Sequence, residues 1–269
     1  MIFDTHAHLN VSEFDNDRDE LIKKCLKEGI GMINVGTNLK DSKKAVEIAE
    51  NYSNVFASIG LHPTSIYSQV FKNKEYMGRE ELLEKDFDYD AYKLLKTKKV
   101  VAIGEIGLDY WHRPKGEAKK ELFKEEQKKV FERQLDLSEE LNLPVIIHCR
   151  SAFDDLFEIL AKRKVRGVLH CFTGTKKEAE KALSLGLYIG IDGIIFKIDL
   201  REAIKIIPMD KILIETDCPY LAPPQFEERN NPLSLPYIID EIAKIKGVGI
   251  EEVEKVTLKN TKELFNIRA

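Results

Sequence analysis

Two histidines near the start of the chain stand at a spacing that suits a metal site. Asp4, His6 and His8 follow two apolar residues, and alternate side chains of a β-strand project from the same face. The three side chains would therefore enter one small volume. Neutral imidazole is the commonest metal ligand in proteins, so we predict that His6 and His8 form half of a metal site. Other segments must supply the remaining ligands.

Eight short apolar runs predict the strands that position these residues. A helical pattern follows each of the runs, and this alternation predicts an α/β fold. The predicted architecture is a (β/α)8 TIM barrel forming one domain over residues 1–269, with two C-terminal helices. An open doubly wound sheet is the alternative, although no Gly-x-Gly-x-x-Gly follows the first run. The runs cover the first eight residues and residues 30–35, 55–59, 99–103, 144–147, 167–169, 187–191 and 211–214.

The stretch from residue 65 to residue 98 interrupts this alternation. It is rich in lysine, glutamate and tyrosine, and it is longer than an ordinary barrel crossover. We predict an extended segment at the rim after the third strand, followed by a third helix from Tyr89. Two further helix starts are predicted at Ser151 and Thr175, because an acid follows each of them three residues later, which is typical of a capped N-terminus.

Composition and charge narrow the class of protein. Apolar residues make up 43% of the chain and charged residues 33%, which indicates a globular protein. No apolar run is long enough to predict a membrane span, and no export signal is recognisable at the N-terminus. Four cysteines without framework spacing then indicate reduced thiols and a cytoplasmic protein. The net charge of −4 gives no general attraction to nucleic acid, so binding a polyanion would need a local patch or metal ions.

Histidines gather at the predicted strand ends. Catalytic groups of barrel enzymes lie at the C-terminal ends of the strands. A single histidine there is usually an ordinary hydrogen-bonded residue, but packing gives no reason why five of the six histidines should share one rim. Glu105 and Asp217 occupy equivalent positions. The five histidines are His6, His8, His62, His148 and His170.

One group of these side chains could hold a first divalent ion. His6, His8 and Asp217 offer two imidazole nitrogens and a carboxylate oxygen. Such ligands suit Zn, Mn, Mg or Ni and do not select among them. Asp217 could in addition accept a proton from the attacking water, as a general base does. The sequence thus predicts that Asp217 is both a ligand and a catalytic residue.

A second group could hold a second ion close to the first. His148 and His170 offer two nitrogens, and Glu105 could bridge both ions with its two oxygens. Two ions about 4 Å apart stabilise the attacking and leaving oxygens of an in-line displacement at phosphorus or carbon. We therefore predict that Glu105 is shared by both ions and is needed for catalysis.

Cysteine and serine offer little to this site. Cys149, Cys171 and Cys218 each follow a proposed ligand directly, and strand alternation would point them towards the helix layer. We predict that they pack in the core and do not bind metal. No Ser-x-x-Lys or Gly-x-Ser-x-Gly motif supports a covalent serine mechanism.

Three arginines near the rim are candidates for substrate binding. Arg113, Arg150 and Arg229 fall in the loops after the fourth, fifth and eighth predicted strands. The guanidinium fork suits phosphate, although a solvated surface arginine is an equally good interpretation of each one singly. Tyr110 and Trp111 could stack on a base or sugar, and they could equally be packing residues.

Six motifs appear in a fixed order along almost the whole chain. Together they resemble the TatD family of metal-dependent deoxyribonucleases, within the wider group of amidohydrolase-like barrels. A single motif such as His-x-His is common, whereas the ordered set is specific. The motifs are Asp4-Thr5-His6-Ala7-His8, Gly60-Leu61-His62-Pro63, Gly104-Glu105-Ile106-Gly107-Leu108-Asp109-Tyr110, His148-Cys149-Arg150, His170-Cys171-Phe172-Thr173-Gly174 and Glu215-Thr216-Asp217-Cys218-Pro219-Tyr220-Leu221-Ala222-Pro223.

The resemblance implies a function and a ligand set. The implied function is hydrolysis of phosphodiester bonds in DNA from the 3′ end, with single-stranded DNA or strand ends as the partner and two divalent ions (Mg, Mn or Zn) as cofactors. His62 matches the family histidine that faces the substrate phosphate, so it is a candidate for catalysis and substrate binding. The implied ligands are His6, His8, Glu105 and Asp217 for one ion and Glu105, His148 and His170 for the other.

Two departures from the family pattern concern the substrate. Members of the family usually carry a Gly-Lys-Arg-Asn-Glu-Pro-like stretch after the last motif. This chain has Glu228-Arg229-Asn230-Asn231-Pro232 there, without that lysine and glutamate. The stretch after His62 is also longer than the resemblance leads us to expect, and it could narrow the site.

Two other functions stay open at this point. One is a barrel hydrolase of another ester or an amide bond, such as an aminoacyl-tRNA ester. Glu105 stands where many amidohydrolases carry a carboxylated lysine, which argues against close kinship with those enzymes. The other is a metal-binding scaffold without catalysis, which fits poorly because a site closed by protein ligands needs no flanking His62.

Overall fold

Eight parallel strands form one sheet in the order of the chain. The computed structural model describes residues 1–66 and 86–267, and in them each strand pairs with the next, from β1 to β8. The strands are Ile2–Ala7 (β1), Ile30–Val35 (β2), Val55–Ile59 (β3), Val100–Asp109 (β4), Val145–Arg150 (β5), Gly167–Leu169 (β6), Tyr188–Ile191 (β7) and Ile212–Ile214 (β8).

The first strand meets the segment after the last one and nearly closes the barrel. The backbone N–H of His8 donates to the carbonyl of Cys218 over 2.9 Å, and that of Asp217 donates to the carbonyl of His6 over the same distance. An isolated parallel bridge joins Ala7 to Cys218. The predicted (β/α)8 barrel is therefore confirmed, and its closure lies among the predicted ligands.

Helices follow the strands around the barrel. The third of them begins at Tyr89, as predicted, whereas the predicted extended segment falls mostly on residues 67–85, which lie outside the described part of the chain. The helices are Arg18–Lys27 (α1), Leu39–Glu50 (α2), Tyr89–Lys93 (α3), Glu117–Leu141 (α4), Phe153–Ala161 (α5), Lys176–Ser184 (α6), Arg201–Ile206 (α7), Leu235–Lys246 (α8) and Ile250–Phe265 (α9). Within residues 1–66 and 86–267, no helix has the length and apolarity that a membrane span needs.

Two apolar clusters hold the layers together. In parallel barrels both faces of each strand are buried, one by the interior and one by the helices, so the strands are rich in apolar residues throughout. The smaller cluster contains Ile146, Val168 and Leu213, and the end of α9 packs against it through Leu264 and Phe265. Two positions further along the chain from these three residues stand His148, His170 and Glu215, the last two directly after the ends of β6 and β8. The smaller cluster thus lies below the residues of the site.

The fourth strand is longer than predicted. The sequence indicates an end at residue 103, because glycines follow there and glycine is a weak strand former. The structure continues β4 to Asp109, and its register with β5 shifts between Ile103 and Ile106. At Gly107, where φ is +144°, a Cβ would lie 2.0 Å from the carbonyl oxygen of His148. Gly107 is therefore needed for the close approach of the two strands, and Glu105 lies within β4 and not at its end.

The two predicted helix caps have different outcomes. Thr175 and Glu178 form the predicted capping box at the start of α6. The predicted cap at Ser151 is wrong, because α5 begins at Phe153 after Ala152. Ser151 itself has a left-handed backbone, with φ at +56°, in the turn that leaves β5.

Candidate metal centre

Four of the predicted ligands converge at the closure of the barrel. The Nε2 atoms of His6 and His8 lie 3.1 Å apart. Asp217 Oδ1 is 3.3 Å from His8 Nε2, and Glu105 Oε2 is 3.4 Å from His6 Nε2. Donor atoms bound to one ion at about 2.0–2.2 Å lie roughly 3 to 4 Å apart, so this arrangement fits a single divalent cation. His8 Nδ1 lies 3.0 Å from the carbonyl oxygen of Val35, which places the imidazole proton there and leaves Nε2 as the ligand atom.

The other oxygen of Glu105 faces a second set of imidazoles. Glu105 Oε1 lies 3.0 Å from His148 Nδ1 and 3.0 Å from His170 Nε2. Its Oε2 faces His6 and His8 at 3.4 and 3.8 Å. One carboxylate therefore presents an oxygen to each group of histidines, as a bridging ligand would.

His62 stands beside the second group but differs from a ligand in its hydrogen bonding. Its Nε2 lies 3.2 Å from Glu105 Oε1. Its Nδ1 accepts a hydrogen bond from the backbone N–H of Thr64 over 3.1 Å. In the neutral imidazole the proton then lies on Nε2, which makes that nitrogen a donor and not a metal ligand. In this structure the Nε2 atom of His62 faces Glu105, and the role of His62 towards a substrate oxygen stays a prediction.

Two acids that the sequence analysis did not select orient the ligands of the second group. Asp109 Oδ2 lies 3.3 Å from His148 Nε2, and Glu215 Oε1 lies 3.2 Å from His170 Nδ1. A carboxylate on the second nitrogen fixes the orientation of an imidazole and raises its basicity as a ligand. The sequence carries a signal for Glu215, since it directly follows the eighth strand and precedes Asp217 by two residues. Asp109 lies in the motif from Gly104 to Tyr110, but only the pairing of β4 with β5 brings it to His148.

Asp4 connects the first strand to the segment after the last. It accepts hydrogen bonds from Thr216 Oγ1 at 2.6 Å, from the backbone N–H of Thr216 at 3.0 Å and from that of His6 at 3.1 Å. Burial raises the pKa of Asp4 to about 7, and these hydrogen bonds oppose the increase. Asp4 therefore holds the backbone on both sides of the first ligand group.

Burial and the surrounding histidines act in opposite directions on the two predicted ligand acids. Burial alone would raise the pKa of Glu105, but the neighbouring imidazoles, His62 and His170 foremost, hold it well below its ordinary value. Burial opposes ionisation of Asp217 too, and the hydrogen bond with His8 leads the effects that lower its pKa. Both acids are ionised at neutral pH and available to a cation.

A cation that binds His170 must compete with the proton on its imidazole. Burial lowers its pKa, but Glu105 and Glu215 together raise it well above the ordinary value. A metal ligand has to be the neutral imidazole, so binding of an ion there would release a proton.

The cysteine predictions hold for two of the three positions. Cys149 and Cys218 are buried in the large apolar cluster. For Cys171 the predicted direction is wrong, because φ is +43° and the strand alternation is broken. Its Sγ lies within 4.8 Å of carboxylate oxygens of Asp192 and Asp217. Burial raises the pKa of the Cys171 thiol well above its ordinary value, which disfavours the thiolate that a metal binds.

The three candidate arginines lie at different places on the rim. Arg113 is exposed after β4. Arg150 is exposed and is the last residue of β5, not part of the loop as predicted. Arg229 pairs with Asp17 at 2.6 Å, and its guanidinium lies 4.0 Å from the centre of the Phe14 ring. Arg229 thus connects the loops after β8 and β1, and its phosphate-binding edge is occupied by Asp17.

The asparagines after Arg229 have local structural contacts. The side chain of Asn230 donates to the carbonyl of Thr216 over 2.9 Å and accepts from Ser234 Oγ over 2.6 Å. Asn231 accepts from the backbone N–H of Leu233 over 3.0 Å, at the start of a short 3₁₀ turn. Asn231, at the position of the missing family glutamate, is therefore a cap for the chain that enters α8.

Comparison with known protein families agrees with the geometry over the whole chain. The family model described as TatD related DNase matches residues 3–266. The metal-dependent hydrolase YabD of Bacillus subtilis is 37% identical over 276 residues, which cover 99% of this chain and all of the relative. The 3′-5′ ssDNA/RNA exonuclease TatD of Escherichia coli K12 is 34% identical over 279 residues, covering 99% of both chains.

Solved structures of similar proteins have the same fold. A TatD homolog from Escherichia coli K12 superposes with a TM-score of 0.83 at 27% identity, covering 99% of this chain and 98% of the other. A TatD family hydrolase from Entamoeba histolytica gives a TM-score of 0.81 at 27% identity, with 98% and 97% covered.

Proposed function

The chain belongs to the TatD related DNase family and is a metal-dependent hydrolase, and on this premise we propose that it is a nuclease that removes nucleotides from the 3′ end of single-stranded DNA. The observation that carries the proposal is the position of Glu105. Its two oxygens face two separate groups of imidazoles. Such a pair of adjoining cation sites suits displacement at a phosphodiester.

The chain supplies six side chains that would hold two divalent ions. Nitrogen and oxygen donors of this kind accept Mg, Mn or Zn. When bound, the ions would supply positive charge that stabilises the attacking and leaving oxygens of the phosphodiester. The residues are His6, His8, Asp217 and Glu105 for the first ion and Glu105, His148 and His170 for the second.

Two residues would handle the proton and the phosphate. The side chain of Asp217 is 16% exposed, against 5% for Glu105, so it can reach a water molecule in the open part of the site. Its carboxylate accepts the proton that this water loses on attack. His62 donates its Nε2–H to a non-bridging oxygen of the scissile phosphate and thereby fixes the orientation of the phosphate.

Digestion of end-labelled oligonucleotides tests this function. A single-stranded DNA labelled at its 5′ end should shorten one nucleotide at a time, and the same DNA labelled at its 3′ end should release labelled mononucleotide first. Both reactions should require Mg²⁺, Mn²⁺ or Zn²⁺, stop with a chelator and resume when the metal is restored.

An RNA oligonucleotide and an aminoacyl-tRNA ester, incubated in parallel, separate the alternatives. Hydrolysis of the ester without release of nucleotides would favour the other class of barrel hydrolase. If the purified protein releases no nucleotides with any of the three metals, it is not a nuclease. The Glu105→Ala protein, prepared in the same way, shows whether a contaminating nuclease contributes.

A further inference from the structure

Two aromatic residues follow Asp109 in the chain, and the structure separates their roles. Tyr110 is 6% exposed, and its hydroxyl donates to Asp155 Oδ2 over 2.7 Å. It is a packing residue. Trp111, in contrast, is 62% exposed. Exposure alone is common among the large apolar side chains of this protein, so the contacts of Trp111 with its neighbours must carry any binding role.

The guanidinium of Arg150 contacts the indole of Trp111. The guanidinium carbon of Arg150 lies 5.0 Å from the centre of the indole ring. This cation–π contact joins the loop after β4 to the end of β5 and restricts the orientation of the ring. The ring is thereby a rigid surface, while the N–H groups of an exposed arginine can still bind phosphate.

A single buried carboxylate links this surface to the candidate metal centre. Asp109 is 1% exposed, and its Oδ1 accepts the backbone N–H groups of Trp111 and His112, both over 2.9 Å. Its Oδ2 lies 2.8 Å from His112 Nδ1 and 3.3 Å from His148 Nε2. The loop that carries Trp111 and the imidazole of His148 are therefore held by the same side chain, which anchors the backbone of Trp111 beside the second ligand group.

We propose that Trp111 and Arg150 form a stacking subsite for one nucleobase of the substrate, beside the phosphate that is hydrolysed. The inference rests on the proposed function, because it takes the substrate to be a nucleic acid. Every base has a π-face, so the subsite accepts all four bases. It increases the affinity for the strand without sequence preference. A base inside a duplex has both faces covered by its stacked neighbours and cannot reach the indole. The subsite therefore favours single strands and strand ends over the interior of a duplex.

Trp111 is the one tryptophan of the chain, so its fluorescence reports binding directly. The metal-loaded full-length protein is titrated with a phosphorothioate-linked oligothymidylate, which resists hydrolysis, and with an abasic oligomer of the same length and charge. Stacking of a base is worth about 1–3 kcal/mol, which corresponds to a roughly 5- to 150-fold tighter apparent Kd for the oligothymidylate. The oligothymidylate should quench the fluorescence of Trp111 strongly, and the abasic oligomer should quench it little.

Variants of Trp111 extend the test to turnover. Trp111→Ala should raise KM for intact single strands by about the same factor as the difference in Kd and leave KM for abasic strands unchanged. Trp111→Phe should retain most of the difference in KM between intact and abasic strands. Leu94→Ala is the matched control, because Leu94 is 84% exposed and follows the last residue of α3, before β4, whereas Trp111 follows the C-terminal end of β4. It should change neither KM.

Failure of the subsite proposal and failure of the nuclease proposal give different results. Equal quenching by the two oligomers, or a Trp111→Ala protein with unaltered KM for intact strands, would overturn the subsite while leaving the nuclease proposal in place. If the protein digests no nucleic acid, the fluorescence titration still measures whether a base binds at Trp111. A thermal melt of each variant identifies any loss of folding.

Discussion

Replacement of Glu105 by alanine is expected to remove both bound ions and to lower kcat/KM for single-stranded DNA by about a thousandfold or more. Its carboxylate faces His6 at 3.4 Å and both His148 and His170 at 3.0 Å, so one substitution takes an oxygen from each ligand group. A loss of about 4 kcal/mol of charge stabilisation corresponds to that factor. Metal analysis of the dialysed protein and initial rates on an oligonucleotide measure the two effects.

Two further variants sharpen the test of Glu105. Glu105→Gln retains the size of the side chain and one carbonyl oxygen, so it should hold at most one ion. Glu117→Ala removes an exposed acid at the start of α4 that pairs only with Lys120 among the described residues, and it should change neither rate nor metal content. A Glu105→Ala protein that still binds two ions per chain would show that Glu105 is not the shared ligand.

Asp217→Asn should lower kcat by about 10²- to 10⁴-fold without unfolding the protein. The amide has the shape of the carboxylate and can keep its oxygen near His8, which lies 3.3 Å from Asp217 Oδ1. It cannot accept the proton of the attacking water, and a positioned general base contributes a factor of this size. Pre-steady-state rates measure the chemical step, and the melting temperature reports folding.

A distant acid provides the control for Asp217. Asp136 pairs with Arg163 on the outer surface, and Asp136→Asn should leave kcat unchanged. A near-normal kcat for Asp217→Asn would remove Asp217 from the proposed mechanism, whatever its metal content.

The regular elements could be predicted closely, because their physical cause is local. Residues 30–35 and 55–59 are apolar runs rich in β-branched residues, and β2 and β3 have these bounds. The third helix begins at Tyr89, and α6 follows the capping box of Thr175, as predicted. The end of β4 could not be predicted in this way. Its glycines look like a strand end in the sequence, whereas Gly107 is required by the approach of the β5 backbone.

The convergence of the predicted ligands could be foreseen because barrel topology brings strand ends together, whatever the details of the loops. His6 and Asp217 are far apart in sequence, yet their side chains approach to 3.7 Å between Nε2 and Oδ1. The identification of the substrate class had another origin, the resemblance of the ordered motifs to a family. Spacing alone leaves the bond to be hydrolysed open.

Contacts between loops could not be predicted from the sequence. The pairing of Arg229 with Asp17 joins loops after the last and first strands, and no local pattern indicates it. Cys171 was beyond reach too, because its left-handed backbone reverses the direction that alternation predicts. Asp109 acts through contacts with His148 and the Trp111 loop that arise only when β4 and β5 pair.

Anomalous diffraction from a crystal of the protein soaked in Mn²⁺ tests the central claim most directly. Two peaks about 4 Å apart are expected, both bonded to Glu105. The first should also contact His6, His8 and Asp217, and the second His148 and His170. A single peak, or two peaks of which only one touches Glu105, would contradict the proposed two-metal site.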